Sequence, residues 1–337
     1  MSTIVLALMT VIFPLNSFLV FPGNWALGKE KEVEVAPIEQ VKGVETEKQE
    51  RISLENVLPV AQYQPVRKED AGDLVLPEAH ASLILDAESG TILHYDNGKQ
   101  RRQIASLTKM MTAVMVMEKV EDLDEEATID ADTIRTIGTV VGCPNTGICI
   151  SQRLVAGEKI TVRSLLKAML MNSANDSARA LAKHVGGTEK EFVSMMNRKA
   201  KEMGLKDTNF CTASGLEPDG REHECYSTAY DIARIAAYAL KFPEIWETFK
   251  LPGNLEVSSA DGKYVHTILN TNRLIGEMPG ILGGKTGFTP LAGHSLLMAV
   301  QDETKKHTII SVLLDDPYRW EDIKMMASWA FSSHAWK

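Results

Sequence analysis

Three short strings carry residue types that together can make and break an ester: Ser106-Leu-Thr-Lys109, Ser173-Ala-Asn175 and Lys285-Thr-Gly287. A serine hydroxyl is a weak nucleophile until a base takes its proton. A lysine can be that base only when its pKa is pulled well below about 10.4. Burial does this by penalising the ammonium, and a second nearby cation adds repulsion; Lys285 is the candidate for that cation. Ser106 and Lys109 stand at i and i+3, so on a helix both side chains share one face, one turn apart. Ser173 offers a second hydroxyl that can pass a proton to a leaving group, with the Asn175 amide orienting Lys109 and the substrate backbone. Thr286 offers a hydroxyl to a carboxylate, and Gly287 leaves room for a substrate backbone to come close. The chemistry is acyl transfer through a covalent serine ester, and it needs neither a metal nor an organic cofactor.

Each string alone has a plainer reading. Ser-x-x-Lys recurs at Ser164-Leu-Leu-Lys167, shortly before Ser173 and inside an amphipathic pattern, where it reads as polar surface beside a core stripe. Ser173 and Asn175 are also good helix caps. Lys285-Thr-Gly287 follows Gly283-Gly284 and fits a glycine-rich turn with a solvated lysine. Only the three strings in order separate Ser106 from its repeat.

The elements that must hold these strings follow from hydrophobic period. Ala81 to Tyr95 reads as two strands around a Glu88-Ser89-Gly90 turn. From Ser106 to about Phe249 the pattern is mostly helical: Met110 to Met117, Leu165 to Met171, a helix starting near Asp176, Phe192 to Met203 and Ile232 to Leu240. Strand character returns in Gly293 to Val300 and His307 to Leu314, and a helix over Glu321 to Phe331 follows. Strands at both ends around a helical middle predict a discontinuous α/β fold, one sheet built from N- and C-terminal segments with helices inserted between them.

The chain has 337 residues, 44% hydrophobic and 24% charged, enough for a substantial core. A net charge of −9 argues against a nucleic-acid surface. Ile4 to Phe21 is an apolar run followed by the small residues Ala26 and Gly28, so residues 1–28 read as an export signal or an uncleaved anchor. Residues 29–76, rich in Glu, Gln, Val and Pro without a sustained period, read as a flexible acidic linker. In an exported chain the four cysteines suggest pairing, and local pairs Cys143 with Cys149 and Cys211 with Cys225 are expected. Unpaired cysteines and a Cys/His metal site with His223 are the alternatives, the second lacking zinc-type spacing.

The ordered set resembles the penicillin-binding proteins and serine β-lactamases, and most closely the low-molecular-mass serine D-alanyl-D-alanine carboxypeptidases. The resemblance is carried by Ala105-Ser-Leu-Thr-Lys-Met-Met-Thr-Ala113, Gly157-Glu-Lys-Ile-Thr-Val-Arg-Ser-Leu-Leu166, Asn197-Arg-Lys-Ala-Lys-Glu-Met-Gly-Leu205, Tyr226-Ser-Thr-Ala-Tyr-Asp231 and Gly284-Lys-Thr-Gly-Phe-Thr289. It implies a catalytic domain over 77–335 in which Ser106 attacks the carbonyl between the last two D-alanines of a peptidoglycan stem peptide, with Lys109 as base. It further implies proton relay by Ser173 and Lys285, orientation by Asn175, oxyanion donors at the backbone N–H of Ser106 and Phe288, and acylation by β-lactams. Thr286 and Arg319 are the candidates for the terminal carboxylate, Arg319 because it lies ten residues before Trp329 in Trp-Ala-Phe. Members often continue into a C-terminal β domain with a membrane-binding tail, whereas this chain stops at Lys337; membrane association is then expected only through Ile4 to Phe21. Two other readings stand beside this one. One is a class A-like β-lactamase with Glu202 activating water; the other is a penicillin sensor that acylates without turnover.

Overall fold

The computed structural model describes residues 63–144 and 148–337; the expected leader over 1–28 and residues 29–62 of the expected linker lie outside the described residues. In chain order the elements are β1 (Pro65–Arg67), β2 (Ala81–Asp86), β3 (Ile92–Asp96), a 3-10 turn at Ala105–Thr108 and α1 (Lys109–Lys119). Then come β4 (Glu126–Thr128), β5 (Lys159–Thr161), α2 (Val162–Met171), α3 (Asn175–Gly186), α4 (Glu189–Glu202), α5 (Ala229–Ala239) and α6 (Pro243–Lys250). The chain continues through β6 (Asn254–Ser258), β7 (Val265–Leu269), β8 (Ile281–Thr289), β9 (Gly293–Gln301), β10 (Thr308–Leu314), α7 (Arg319–Ser333) and β11 (His334–Trp336).

The main sheet has the order β3-β2-β10-β9-β8, antiparallel throughout, so N- and C-terminal strands share it as the sequence pattern predicts. β2, β10 and most of β9 are buried on both faces, and the period of two sorts their side chains between two cores. Leu83, Leu85, Ile310, Val312, Leu297 and Ala299 face the helices, in one cluster with Met110, Met111 and Val114 of α1 and Ile232 and Ile235 of α5. Ile84, Ile309, Leu313, Leu296, Met298 and Val300 face the other way and pack with Ile323, Met326 and Ala330 of α7. From Lys109 through Val116 every residue of α1 is buried, which makes it the central helix of the inserted region. Three helices start on threonine caps: Thr161 accepts the N–H of Ser164 at 3.1 Å, Thr188 that of Glu191 at 3.1 Å, and Thr228 that of Asp231 at 3.0 Å.

Two expectations need correction. Residues 63–76 belong to the folded body rather than to a flexible linker. β1 pairs with β11 in the register Pro65 to Trp336, Val66 to Ala335 and Arg67 to His334, and Leu74 and Leu76 are buried in the α7 cluster. Their burial partners come from the far end of the chain, so no local period announces them. The domain also runs past its expected end at residue 335, since the strand β11 that follows α7 reaches Trp336.

Candidate active site

Ser106 lies in the 3-10 turn that runs directly into α1, and Lys109 is the first residue of that helix. The Lys109 amine is fully buried, 2.9 Å from Ser106 Oγ, 2.8 Å from Asn175 Oδ1 and 2.6 Å from the Ser214 carbonyl. Two of these partners can only accept. A neutral amine therefore spends its two N–H donors on Asn175 and Ser214 and keeps its lone pair for the Ser106 hydroxyl, the arrangement a base requires. Burial lowers the Lys109 pKa well below its ordinary value, the charge of Lys285 lowers it further, and Asp176 pulls weakly the other way. The turn itself is a tight fit. Ala105 has φ 46°, and Gly215, at φ 83°, approaches so closely that a Cβ there would sit 1.9 Å from the Ala105 carbonyl oxygen. Only glycine lets residues 212–216 lie against the turn and bring the Ser214 carbonyl to Lys109.

Ser173 sits between α2 and α3 with φ 60°, a left-handed conformation uncommon outside glycine. Its Oγ accepts a hydrogen bond from Lys285 Nζ at 2.9 Å. Asn175 opens α3, but the N-cap residue is Ala174 and no side chain caps the helix. The capping role open to Ser173 and Asn175 in the sequence is thus not the one they take. The amide of Asn175 instead donates to the Ile137 carbonyl at 3.0 Å while accepting from Lys109.

Lys285, Thr286 and Gly287 lie inside β8, an edge strand of the main sheet, and not in a turn ahead of a strand. Gly283 and Gly284 are there for close approach: a Cβ would stand 2.3 Å from Phe249 Cβ at the first and 2.1 Å from the Leu297 carbonyl oxygen at the second. Lys285 is fully buried, and burial, then the neighbouring Arg319 cation, brings its pKa down to about 7. It also donates to the Thr286 carbonyl at 3.0 Å. Thr286 Oγ1 is 2.9 Å from Thr271 Oγ1. The Phe288 ring is exposed and stacks on His294 with centroids 4.6 Å apart. Arg319, at the start of α7, donates through Nη1 to the carbonyls of Gly287 at 2.9 Å and Ser295 at 3.1 Å. Its guanidinium is therefore fixed beside the Lys285-Thr-Gly287 strand.

Residues 70–318 match the D-alanyl-D-alanine carboxypeptidase family. The chain belongs to that family. The carboxypeptidase DacF of Bacillus subtilis is 33% identical over 261 residues, covering 76% of this chain and 63% of that protein. DacD of Escherichia coli is 29% identical, with 75% and 63% covered. The chain thus spans a little under two thirds of the length of these curated relatives. Among solved structures, penicillin-binding protein D2 from Listeria monocytogenes in the ampicillin-bound form has a TM-score of 0.64 at 30% identity, covering 77% of this chain and 99% of that one. A mutant of the Streptomyces K15 DD-transpeptidase has a TM-score of 0.67 at 27% identity, covering 77% and 100%. The fold is that of the low-molecular-mass penicillin-binding proteins.

In this carboxypeptidase-family chain the second serine–lysine pair and Glu202 lie on α2 and α4. Ser164 and Lys167 are on α2, with Ser164 Oγ held by the Thr161 hydroxyl at 2.9 Å. Glu202 is exposed at the C-terminal end of α4. Cys143 is bonded to Cys149 and Cys211 to Cys225, with S–S distances of 2.03 and 2.09 Å. The Cys211 and Cys225 thiols are therefore not free to join His223 on a metal, and among the described residues no group of three or more His, Cys, Asp or Glu could hold one. Sequence reasoning missed the Ser214 carbonyl, Gly215 and Asp176. The first is a backbone atom, the second one glycine among 23, and the third is met by the backbone N–H of Val141, far away in sequence.

Proposed function

We propose that this protein is a serine D-alanyl-D-alanine carboxypeptidase that removes the terminal D-alanine from peptidoglycan stem peptides. The observation that carries the reading is the buried Lys109 amine, which meets Ser106 Oγ and Asn175 Oδ1 while Lys285 meets Ser173. It is an activated nucleophile with a second lysine–serine pair beside it. β8 is an edge strand, the kind of element alongside which an extended peptide can be laid.

In the proposed reaction Ser106 Oγ gives its proton to Lys109 and bonds to the carbonyl carbon between the two D-alanines. The N–H groups of Ser106 and Phe288 hold the oxyanion, each such donor being worth about 3 to 4 kcal/mol in the transition state. The C–N bond breaks as the leaving amine takes a proton from Lys285 through the Ser173 hydroxyl. D-alanine leaves, and water hydrolyses the ester. Arg319 and Thr286 receive the free carboxylate of the substrate, and a guanidinium suits that partner. β-Lactams acylate the same serine. Two disulfides fit an exported protein working at the outer face of the cytoplasmic membrane, in the cell-wall space. Among the described residues no helix is long and apolar enough to cross a membrane.

The decisive experiment incubates the purified protein with a diacyl-D-alanyl-D-alanine peptide and, separately, with a fluorescent penicillin. D-alanine release with slow penicillin turnover supports the reading. Stable acylation without D-alanine release would replace it with the sensor, and rapid β-lactam hydrolysis with the lactamase.

A further inference from the structure

Residues 137–143 form a strap laid along the Ser173-Ala-Asn175 junction. The Ile137 carbonyl accepts from Asn175 Nδ2 at 3.0 Å, the Thr139 carbonyl from Asn175 N at 2.8 Å, and the Val140 carbonyl from Asn172 Nδ2 at 3.1 Å. In the other direction, Val141 N donates to both oxygens of Asp176, at 3.0 and 3.2 Å. The strap is tied at its far end. Cys143 exchanges backbone hydrogen bonds with Val140 and is bonded to Cys149, while the Gly142 carbonyl accepts from Ile150 N at 2.7 Å and Ser151 N at 3.2 Å. Beyond it, the Gln152 carbonyl is 2.8 Å from His266 Nδ1, and His266 Nε2 is 2.7 Å from Glu158.

The strap decides which way the Asn175 amide points. A carbonyl can only accept, so Ile137 takes the NH2 end and leaves Oδ1 for Lys109. It also leaves no slack: at Gly138, φ 78°, a Cβ would stand 2.8 Å from Asn175 Nδ2. Asp176 is the anchor on the helix side. It is fully buried, its Oδ1 also accepts from Ser177 N at 2.9 Å, and it has no ion-pair partner among the described residues. A buried carboxylate held only by backbone N–H groups is costly to keep charged, and the reaction scheme above gives it no task.

We infer that Asp176, acting through the 137–143 strap, is a positioning residue of this site: it fixes the Asn175 amide against Lys109 and keeps a negative charge behind the lysine. The inference rests on the acyl-transfer reading above. The charged groups that bear on Asp176 come from three directions: Lys109 on α1, Arg153 after the disulfide, and His266 on β7. Burial pushes the Asp176 carboxyl up to about 6, so it carries its charge at neutral pH and there supports protonation of Lys109.

The test uses the full chain and the second-order rate of acylation by a fluorescent penicillin from about pH 5 to 9, with thermal melting beside it. Asp176→Asn should acylate roughly tenfold to a hundredfold more slowly, with the acid limb of its profile moved to lower pH, because removing the negative charge makes Lys109 easier to deprotonate. Asp176→Glu should return the limb towards its wild-type position while the rate stays low. Gly138→Ala should lose rate to a similar degree, since its Cβ displaces the Asn175 amide that accepts from Lys109. The double variant Cys143→Ser, Cys149→Ser should do the same to a smaller degree. Wild-type rates in folded Gly138→Ala would overturn the inference, and that arm decides even if Asp176→Asn does not fold. An Asp176→Asn protein that loses rate with an unmoved acid limb would also overturn it. Release of D-alanine is followed in parallel. A wild-type protein that acylates but releases none fails the carboxypeptidase reading alone, because the strap is read on acylation.

Discussion

Ser106–Lys109 and Ser164–Lys167 repeat one spacing in two settings. In the first, the lysine is fully buried at the start of the central helix, faces two acceptor oxygens and shares its surroundings with Lys285. In the second, the serine hydroxyl is engaged by the helix cap Thr161, and Lys167 is only half-buried on α2. Both pairs place their side chains on one helical face. A proton-accepting lysine needs more: desolvation, a neighbouring cation and acceptors that use up its N–H groups, all supplied by distant segments.

The contrast is broken most directly by removing each serine. Ser106→Ala should abolish labelling by fluorescent penicillin and Ser164→Ala should leave it intact; label that survives in the first variant assigns the nucleophile elsewhere. Removing the lysines comes next. Lys109→Ala should slow acylation by about a thousandfold, the scale of a lost general base, whereas Lys167→Ala should stay within about twofold of wild type. Comparable losses in the two would mean that burial does not distinguish them.

A smaller effect separates the two buried lysines from each other. In the proposed reaction Lys109 acts neutral and Lys285 protonated, so the rate of D-alanine release should rise as Lys109 loses its proton and fall as pH passes through about 7, where Lys285 loses its own. Arg319 is a cation beside Lys285. Arg319→Ala should therefore raise the Lys285 pKa and carry the alkaline limb to higher pH. It should also cost about 2 kcal/mol, roughly thirtyfold, for substrates with a free carboxylate, and much less for their amides. Equal losses on acid and amide would remove the carboxylate role, and an unmoved alkaline limb would separate Arg319 from Lys285.

The sequence made some of this legible and hid the rest for identifiable reasons. β2, β3 and the central helix carry clean periods and a marked turn, so they can be read directly. β8 is harder, because Gly283 and Gly284 look like turn residues; they are glycines because Phe249 and the Leu297 carbonyl leave no room for a Cβ. β1 and β11 are each three residues long and acquire meaning only from pairing with one another. The residues of the three strings were visible because their types are chemically unusual together. Their supports were not. The Ser214 carbonyl has no side-chain signature, and Asp176 shows its purpose only when Val141, far away in sequence, is seen donating to it.

The mildest test of the contrast lies at the start of α2. Thr161 caps this helix through the N–H of Ser164, and its loss in Thr161→Ala should cost about 1 kcal/mol, a drop of a few degrees in Tm for a domain this size. α2 also leads into the site, since Asn172 follows its last residue and donates to the Val140 carbonyl of the strap. The cap and Asn172 are separated by the length of the helix, about 15 Å at 1.5 Å per residue. Fraying of the first turn stays within that turn, because the rest of α2 is held by the buried Leu165, Leu166, Met169 and Leu170. Thr161→Ala should accordingly melt earlier but acylate with penicillin at the wild-type rate. A fall in acylation beyond about twofold, measured well below the melting temperature, would show that the second serine–lysine helix is coupled to the first, and that the two copies differ in degree rather than in kind.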